Sequence, residues 1–60
     1  MEAKLNGGVL KIWFSGISTS RNIPKTISLK VNNDIGIIET IDGDTFFINM
    51  RNVNLIEEVE

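Results

Sequence analysis

Residues 26–50, "TISLKVNNDIGIIETIDGDTFFINM", decide the fold class, because they read as three strands separated by two turns. "TISLKV" (26–31) alternates apolar and polar side chains, which is the pattern of a half-exposed strand. "IGIIETI" (35–41) and "TFFINM" (45–50) are rich in β-branched and aromatic residues. The polar "NND" and "DGD" between the segments are turn sequences, and Asp-Gly is a strong hairpin signal. The stretch therefore predicts an antiparallel meander.

Further segments flank this meander. "VLKIWF" (9–14) starts after a Gly-Gly pair and predicts a strand, whereas "GISTSRNIPK" (16–25) is polar, contains the only proline and predicts a loop. "VNLIEEV" (53–59) has some helix-like spacing, but it is short for a helix, so a strand is favoured. "RN" (51–52) predicts a tight corner before it, and a helical turn at 50–53 stays open. The chain 1–60 is thus predicted to be one all-β domain, either a small antiparallel sheet or a barrel of four to five short strands.

The order of these elements resembles the SH3-like barrel over nearly the whole chain, with a long first loop, two tight turns and a corner before the last strand. The resemblance is one of spacing. The chain has no tyrosine, and "KIWFSG" does not match the acidic first strand of peptide-binding SH3 domains, so recognition of proline-rich peptides is not implied. The chain also resembles short β proteins of phages and prophages of low-G+C bacteria. That resemblance assigns no activity by itself; a phage origin would fit a role as an inhibitor or modulator of a host factor.

Composition argues against catalysis. The chain has neither cysteine nor histidine, which removes disulfides, thiolate and imidazole metal ligands and the usual general base. Asp42 and Asp44 flank Gly43 as turn residues and are not followed by the ligand pattern of a calcium loop. We therefore predict a non-enzymatic protein without cofactor or metal. Domains of this size are often marginally stable, and oligomerisation is one of the few remaining ways to stabilise them.

The N-terminus shows no signal peptide, because Glu2 is acidic and Lys11 interrupts the apolar run. No apolar run is long enough to span a membrane. The absence of cysteine fits a reducing compartment. The prediction is a soluble, cytoplasmic protein without membrane contact.

Charge is unevenly distributed along the chain. Residues 1–33 carry five basic side chains and one acidic one, whereas residues 34–60 carry seven acidic side chains and one basic one. Three interpretations stay open: the halves neutralise each other within one sheet, the acidic half meets a basic partner, or two copies pair head to tail.

Alternation along the predicted strands separates two apolar sets, because neighbouring side chains in a strand point to opposite faces. The first set is the predicted core: Leu10, Ile12, Phe14, Ile27, Leu29, Val31, Ile35, Ile37, Ile41, Phe46, Ile48, Met50, Val53 and Leu55. The second set falls on the other face and is the predicted interface: Val9, Trp13, Ile38, Phe47 and Ile56. Either the same chain covers this second face, or a second copy does, with a dimer favoured.

The predicted loop 16–25 offers a further candidate binding surface. The predicted loop is long for so small a domain and offers hydroxyls, an amide and a guanidinium for a polar partner or an anion. Its candidate binding residues are Ser18, Thr19, Ser20, Arg21 and Asn22. The preferred function is protein–protein binding by a homo-oligomer. The alternative is a small nucleic-acid-binding barrel with SH3-like or OB-like architecture, although the net charge of −2 does not favour nucleic acid.

Overall fold

The computed structural model describes residues 1–60 and confirms the all-β prediction. The chain forms seven strands and one turn of 3-10 helix, with no helix long and apolar enough to cross a membrane. The elements, in order, are β1 (Glu2–Lys4), β2 (Val9–Phe14), β3 (Ser20–Ile23), β4 (Thr26–Asn32), β5 (Ile35–Thr40), β6 (Thr45–Asn49), the 3-10 turn (Met50–Asn52) and β7 (Val53–Val59).

The predicted meander and both flanking strands are present, and the helical alternative for 53–59 is wrong. The turn expected at 50–53 is the 3-10 turn. Two short strands were not predicted. β1 pairs with β4, and β3 lies within the predicted loop 16–25, where it pairs antiparallel with β2. Because β3 is short and mostly polar, its own sequence carries little strand signal, and its pairing with β2 forms it.

The strands form two antiparallel sheets. One has the order β1-β4-β5-β6, and the other has the order β3-β2-β7. The sheets meet at a corner where Thr26 N and Thr26 Oγ1 both donate to Gly8 O, each at 3.1 Å. The two sheets therefore remain separate ladders that share a corner.

The core lies between the two sheets. Each sheet contributes three buried apolar residues: Leu10, Ile12 and Ile23 from one, and Leu29, Ile38 and Ile48 from the other. Seven partly buried side chains pack around them: Leu5, Phe14, Val31, Phe46, Met50, Val53 and Ile56. Nine members of the predicted core are confirmed in this way, and Ile23 is a core residue that the loop assignment missed.

The predicted facing of β5 is wrong. Ile38 is 0% exposed, whereas Ile35 is 52% exposed and Ile37 lies on the outer face. Ile38 stands between Leu29 of β4 and Phe46 of β6 in the ladder. Directly opposed residues share a face, so the inward direction of Leu29 and Phe46 fixes that of Ile38.

The other errors in the predicted core have local causes. A register shift between Thr26 and Ser28 turns Ile27 outward. A second irregularity, between Trp13 and Phe14, changes the phase of β7, so that Val53 packs inward and Leu55 is exposed. Ile41 lies beyond the end of β5 and is also exposed. A bulge inserts one residue into a strand and thereby reverses the facing of the residues on one side of it.

Ion pairs connect the basic and acidic halves of the chain. Lys25 Nζ lies 3.6 Å from Asp42 Oδ2, and Lys30 Nζ lies 3.4 Å from Glu39 Oε1. These side chains are largely exposed, so each pair adds little stability. They favour the interpretation that the halves neutralise each other within one molecule.

Candidate functional site

The outer face of the four-stranded sheet carries two exposed apolar side chains and a half-buried one, here called the Phe47 stripe and defined as Ile35, Ile37 and Phe47. Ile37 and Phe47 are directly opposed on β5 and β6, and Ile35 lies two residues before Ile37 on the same face. Phe47 is 69% exposed and Ile35 is 52% exposed. An aromatic ring this exposed, with aliphatic neighbours, is typical of a contact surface.

A cleft continues the Phe47 stripe toward the 3-10 turn. Its volume is about 510 Å³, and its lining consists of Asp34, Ile35, Phe47, Ile48, Asn49 and Arg51. The cleft therefore combines apolar walls with one amide, one carboxylate and one guanidinium. Such a combination suits a side chain or main-chain segment of a protein partner.

The polar end of the cleft is held by several contacts. Arg51 Nε lies 3.0 Å from Asp34 Oδ2, and Met50 N donates to Asp34 O at 2.7 Å. The side chain of Asn49 accepts from Arg51 N at 3.1 Å and caps the 3-10 turn. These contacts tie the β4–β5 turn to the end of β6. They place one positive and one negative group in the cleft that Phe47 also lines.

The five residues of the predicted interface do not form one patch. Ile38 is buried and Ile56 packs against the core, so neither can contribute a free surface. Val9 and Trp13 lie on the outer face of the three-stranded sheet, whereas Phe47 lies on the other sheet. The prediction placed them together because it assumed one continuous sheet. Only Phe47 lies in the candidate site, and whether Val9 and Trp13 contact a partner stays a prediction.

The three-stranded sheet has its own apolar residues on its outer face. Trp13 is half-buried and is opposed by Leu55, and Val9 is opposed by Val59. Trp13 Nε1 donates to Glu57 Oε1 at 2.9 Å. Lys11 and Glu57 separate the two apolar pairs along their strands. This face is thus interrupted by charge, and its large aromatic side chain already has a polar partner.

The predicted binding loop is partly a strand. Ser18 and Thr19 are exposed before β3, whereas Ser20, Arg21 and Asn22 belong to β3. Ser20 Oγ donates to Asn22 Oδ1 at 2.8 Å. The Arg21 guanidinium carbon lies 5.6 Å from the centre of the Phe46 ring. Ser20 and Asn22 thus bind each other and Arg21 lies over the core edge, and the role of the five residues in binding stays a prediction.

The sequence of β5 contains a signal for the Phe47 stripe. Ile35 and Ile37 share their face with Glu39, whereas Ile38 shares its face with Gly36 and Thr40. A carboxylate is far costlier to bury than a threonine hydroxyl, so Glu39 marks the solvent face of β5. The contribution of Asp34 and Arg51 had no such signal, because only the folded chain brings the β4–β5 turn beside the 3-10 turn.

The remaining chemistry of the chain is limited. No group of three or more histidine, cysteine, aspartate or glutamate side chains is arranged to hold a metal ion. No protein-family model, curated protein or solved structure matches the chain. The Phe47 stripe and its cleft are therefore the features from which a function can be argued.

Proposed function

We propose that this protein is a non-enzymatic, homo-oligomeric β protein that acts by protein–protein binding through the Phe47 stripe and its cleft. The observation that carries the proposal is the exposure of Phe47 beside Ile35 and Ile37. Small monomeric proteins seldom leave a large aromatic side chain and its aliphatic neighbours in water. Aromatic side chains also supply much of the binding free energy at protein interfaces.

Small size supports the oligomeric part of the proposal. Only nine of the 60 residues are buried, and the chain has no cysteine for a disulfide. A second copy placed against the Phe47 stripe would bury apolar area that the single chain leaves in water. That burial contributes roughly 25 cal/mol per Å² before the cost of association is subtracted. The resemblance to short phage proteins suggests a second class of partner, a host factor that this chain would modulate.

Nucleic-acid binding is the alternative, and the charges support it less. Three of the six basic side chains, Lys25, Lys30 and Arg51, lie within 4.0 Å of a carboxylate. The Trp13 ring is half-buried and its N–H is bonded to Glu57, so it is a poor platform for an unpaired base. A nucleic-acid-binding barrel would require strong binding of oligonucleotides that falls steeply with salt concentration.

Light scattering after size-exclusion chromatography tests the proposal over a range of protein concentrations. We expect the wild-type chain to be larger than a monomer and Phe47→Asp to be monomeric, because a carboxylate at the centre of a dry contact is costly. Leu55→Asp is the matched control, since Leu55 is 53% exposed but lies on the other sheet. A wild-type monomer at every concentration would contradict the oligomeric part. Equal dissociation by both variants would contradict the assignment of the surface.

A further inference from the structure

We infer that a second copy of this chain binds along the free edge of β6, with the two β6 strands antiparallel about a two-fold axis at Phe47. The inference rests on the proposed function and deepens it, since it names the partner and the way it docks. Pairing of this kind would join the four-stranded sheets of the two copies into one continuous sheet. The Phe47 stripes of both copies would then meet on one face.

The edge of β6 differs from the other strand edges in charge. β1 and β6 are the edges of one sheet, and β3 and β7 are the edges of the other. β1 carries Glu2 and Lys4, β3 carries Arg21, and β7 carries adjacent glutamates, whereas β6, "TFFIN", has no charged residue and no proline. Charges and prolines on edge strands oppose pairing with another chain. Only β6 lacks this protection.

The main chain of β6 is oriented for such pairing. At the two ends of the β5–β6 pair, Thr40 N donates to Asp44 O and Met50 N donates to Asp34 O. Hydrogen-bonded positions alternate along an antiparallel pair, so Phe46 and Ile48 direct their main-chain groups toward β5. Their neighbours Thr45, Phe47 and Asn49 consequently direct N–H and C=O away from the sheet, where no strand of the same chain pairs with them.

A two-fold axis at Phe47 uses all of these outward groups. Phe47 then faces Phe47 of the partner copy, and Thr45 faces Asn49 of the partner copy, each as a hydrogen-bonded pair. On the inner side, Phe46 lies opposite Ile48 of the partner copy. The exposed ring of Phe47 gains an aromatic neighbour, and the half-buried ring of Phe46 gains an aliphatic one. A contact of this kind is self-complementary, as a two-fold axis requires.

The charges at the ends of β6 are complementary in this register. The strand is preceded by the acidic turn Asp42-Gly43-Asp44 and is followed by Arg51. Antiparallel pairing brings the acidic turn of each copy to the end of β6 where the other copy presents Arg51. Self-pairing of β7 would instead place the carboxylates of Glu57 and Glu58 of both copies along one seam, where like charges repel.

Two substitutions at position 49 test the pairing. Asn49 has φ −78°, which proline accepts, and its N–H faces the free edge, so Asn49→Pro removes an intermolecular donor while keeping the β5–β6 ladder. Asn49→Ala loses the same side-chain cap and keeps the N–H. We expect wild type and Asn49→Ala to dimerise in light scattering, and the dissociation constant of Asn49→Pro to rise at least tenfold.

Isotope-filtered NOE spectroscopy on an equimolar mixture of labelled and unlabelled wild-type chain tests the register without any variant. The Hα atoms of Phe46 and Ile48 are close only across the proposed interface, because within one strand these residues are two positions apart. We expect an intermolecular NOE between these two Hα atoms. A dimer whose intermolecular NOEs connect β1, β3 or β7 would overturn the inference.

The tests separate this inference from the proposed function. In one outcome Phe47→Asp dissociates the dimer, whereas Asn49→Pro and Asn49→Ala have the same dissociation constant. That outcome would overturn the β6 pairing and leave the Phe47 stripe as the contact surface. In another outcome the dimer shows the Phe46–Ile48 NOE and Phe47→Asp does not dissociate it. That outcome would overturn the Phe47 stripe as the contact surface and keep the β6 pairing. A wild-type chain that stays monomeric at millimolar concentration would overturn the β6 pairing and the oligomeric part of the proposed function.

Discussion

The indole Nε1 of Trp13 donates a hydrogen bond of 2.9 Å to Oε1 of Glu57 on the neighbouring strand β7. The bond lies on the outer face of the three-stranded sheet and ties β2 to the last strand of the chain. Trp13 is the only tryptophan, so its fluorescence reports directly on this contact and on unfolding. This makes the β2–β7 pair the most convenient part of the molecule to follow in solution.

Replacement of Glu57 tests the contribution of that bond. We expect Glu57→Ala to lower the free energy of unfolding by about 0.5 kcal/mol, since the bond is exposed and net hydrogen-bond contributions are about 0.5–1.5 kcal/mol. Glu57→Gln keeps an acceptor oxygen and should lose less. Urea unfolding followed by Trp13 emission, at one protein concentration, measures both. An alanine variant as stable as wild type would show that the bond contributes nothing.

Ile37 and Ile38 form a matched pair that tests the facing of β5. Ile38→Val should cost about 1 kcal/mol of stability, because a methylene is removed from a fully buried site. Ile37→Val removes the same group from the outer face and should cost less than half as much. Both variants keep a β-branched side chain, so strand propensity is nearly constant. Thermal or urea denaturation compares them, and the reverse order of stabilities would contradict the assignment of the two faces.

Gly8 and Gly36 differ in what a methyl group would meet. At Gly8 an added Cβ would meet the main-chain oxygen of Val59, whereas at Gly36 it would meet the side-chain sulfur of Met50. The main chain of β7 cannot move without disturbing its pairing with β2, but a methionine side chain repacks readily. Gly8→Ala should therefore destabilise the protein more than Gly36→Ala. Chemical denaturation compares the two, and a larger loss of stability for Gly36→Ala would contradict the prediction.

Arg21 tests the contact between β3 and the core edge. Its guanidinium carbon lies 5.6 Å from the centre of the Phe46 ring, which is within the range of a cation–π interaction. Arg21→Met keeps a long apolar stem and loses the charge, so we expect a loss of about 0.5–1 kcal/mol. Lys4→Met is the control for removal of a surface charge elsewhere. Equal unfolding midpoints for the two variants would argue against a specific contact with the ring.

Much of the fold could be predicted from local patterns. The bounds of β2 and β7 were predicted correctly, and the meander of β4, β5 and β6 was placed to within one residue at each end. Apolar alternation and turn residues act within a few positions of the chain, which is why they are readable without the fold. The short strands β1 and β3 had no such pattern, because each depends on pairing with a longer strand.

The candidate site was predicted less well than the fold. Phe46 and Phe47 were correctly predicted to lie on opposite faces of the sheet, since the side chains of adjacent residues in a strand point to opposite sides. Ile38 was assigned to the wrong face, although Glu39 marks the solvent side of the same strand. Asp34 and Arg51 were not predicted, because their ion pair joins two turns that are distant along the chain.

The sequence by itself determined the fold class, the strand positions of the meander and the opposite facing of Phe46 and Phe47, because each follows from the period of side chains along one strand. Only the tertiary structure decided that Ile27 and Leu55 face away from the core. That choice depends on register and on the irregularities beside Thr26 and Trp13, which reverse the facing of whole strand segments. It also decided that the chain forms two sheets, and thereby separated Phe47 from Trp13 and left the uncharged edge of β6 open.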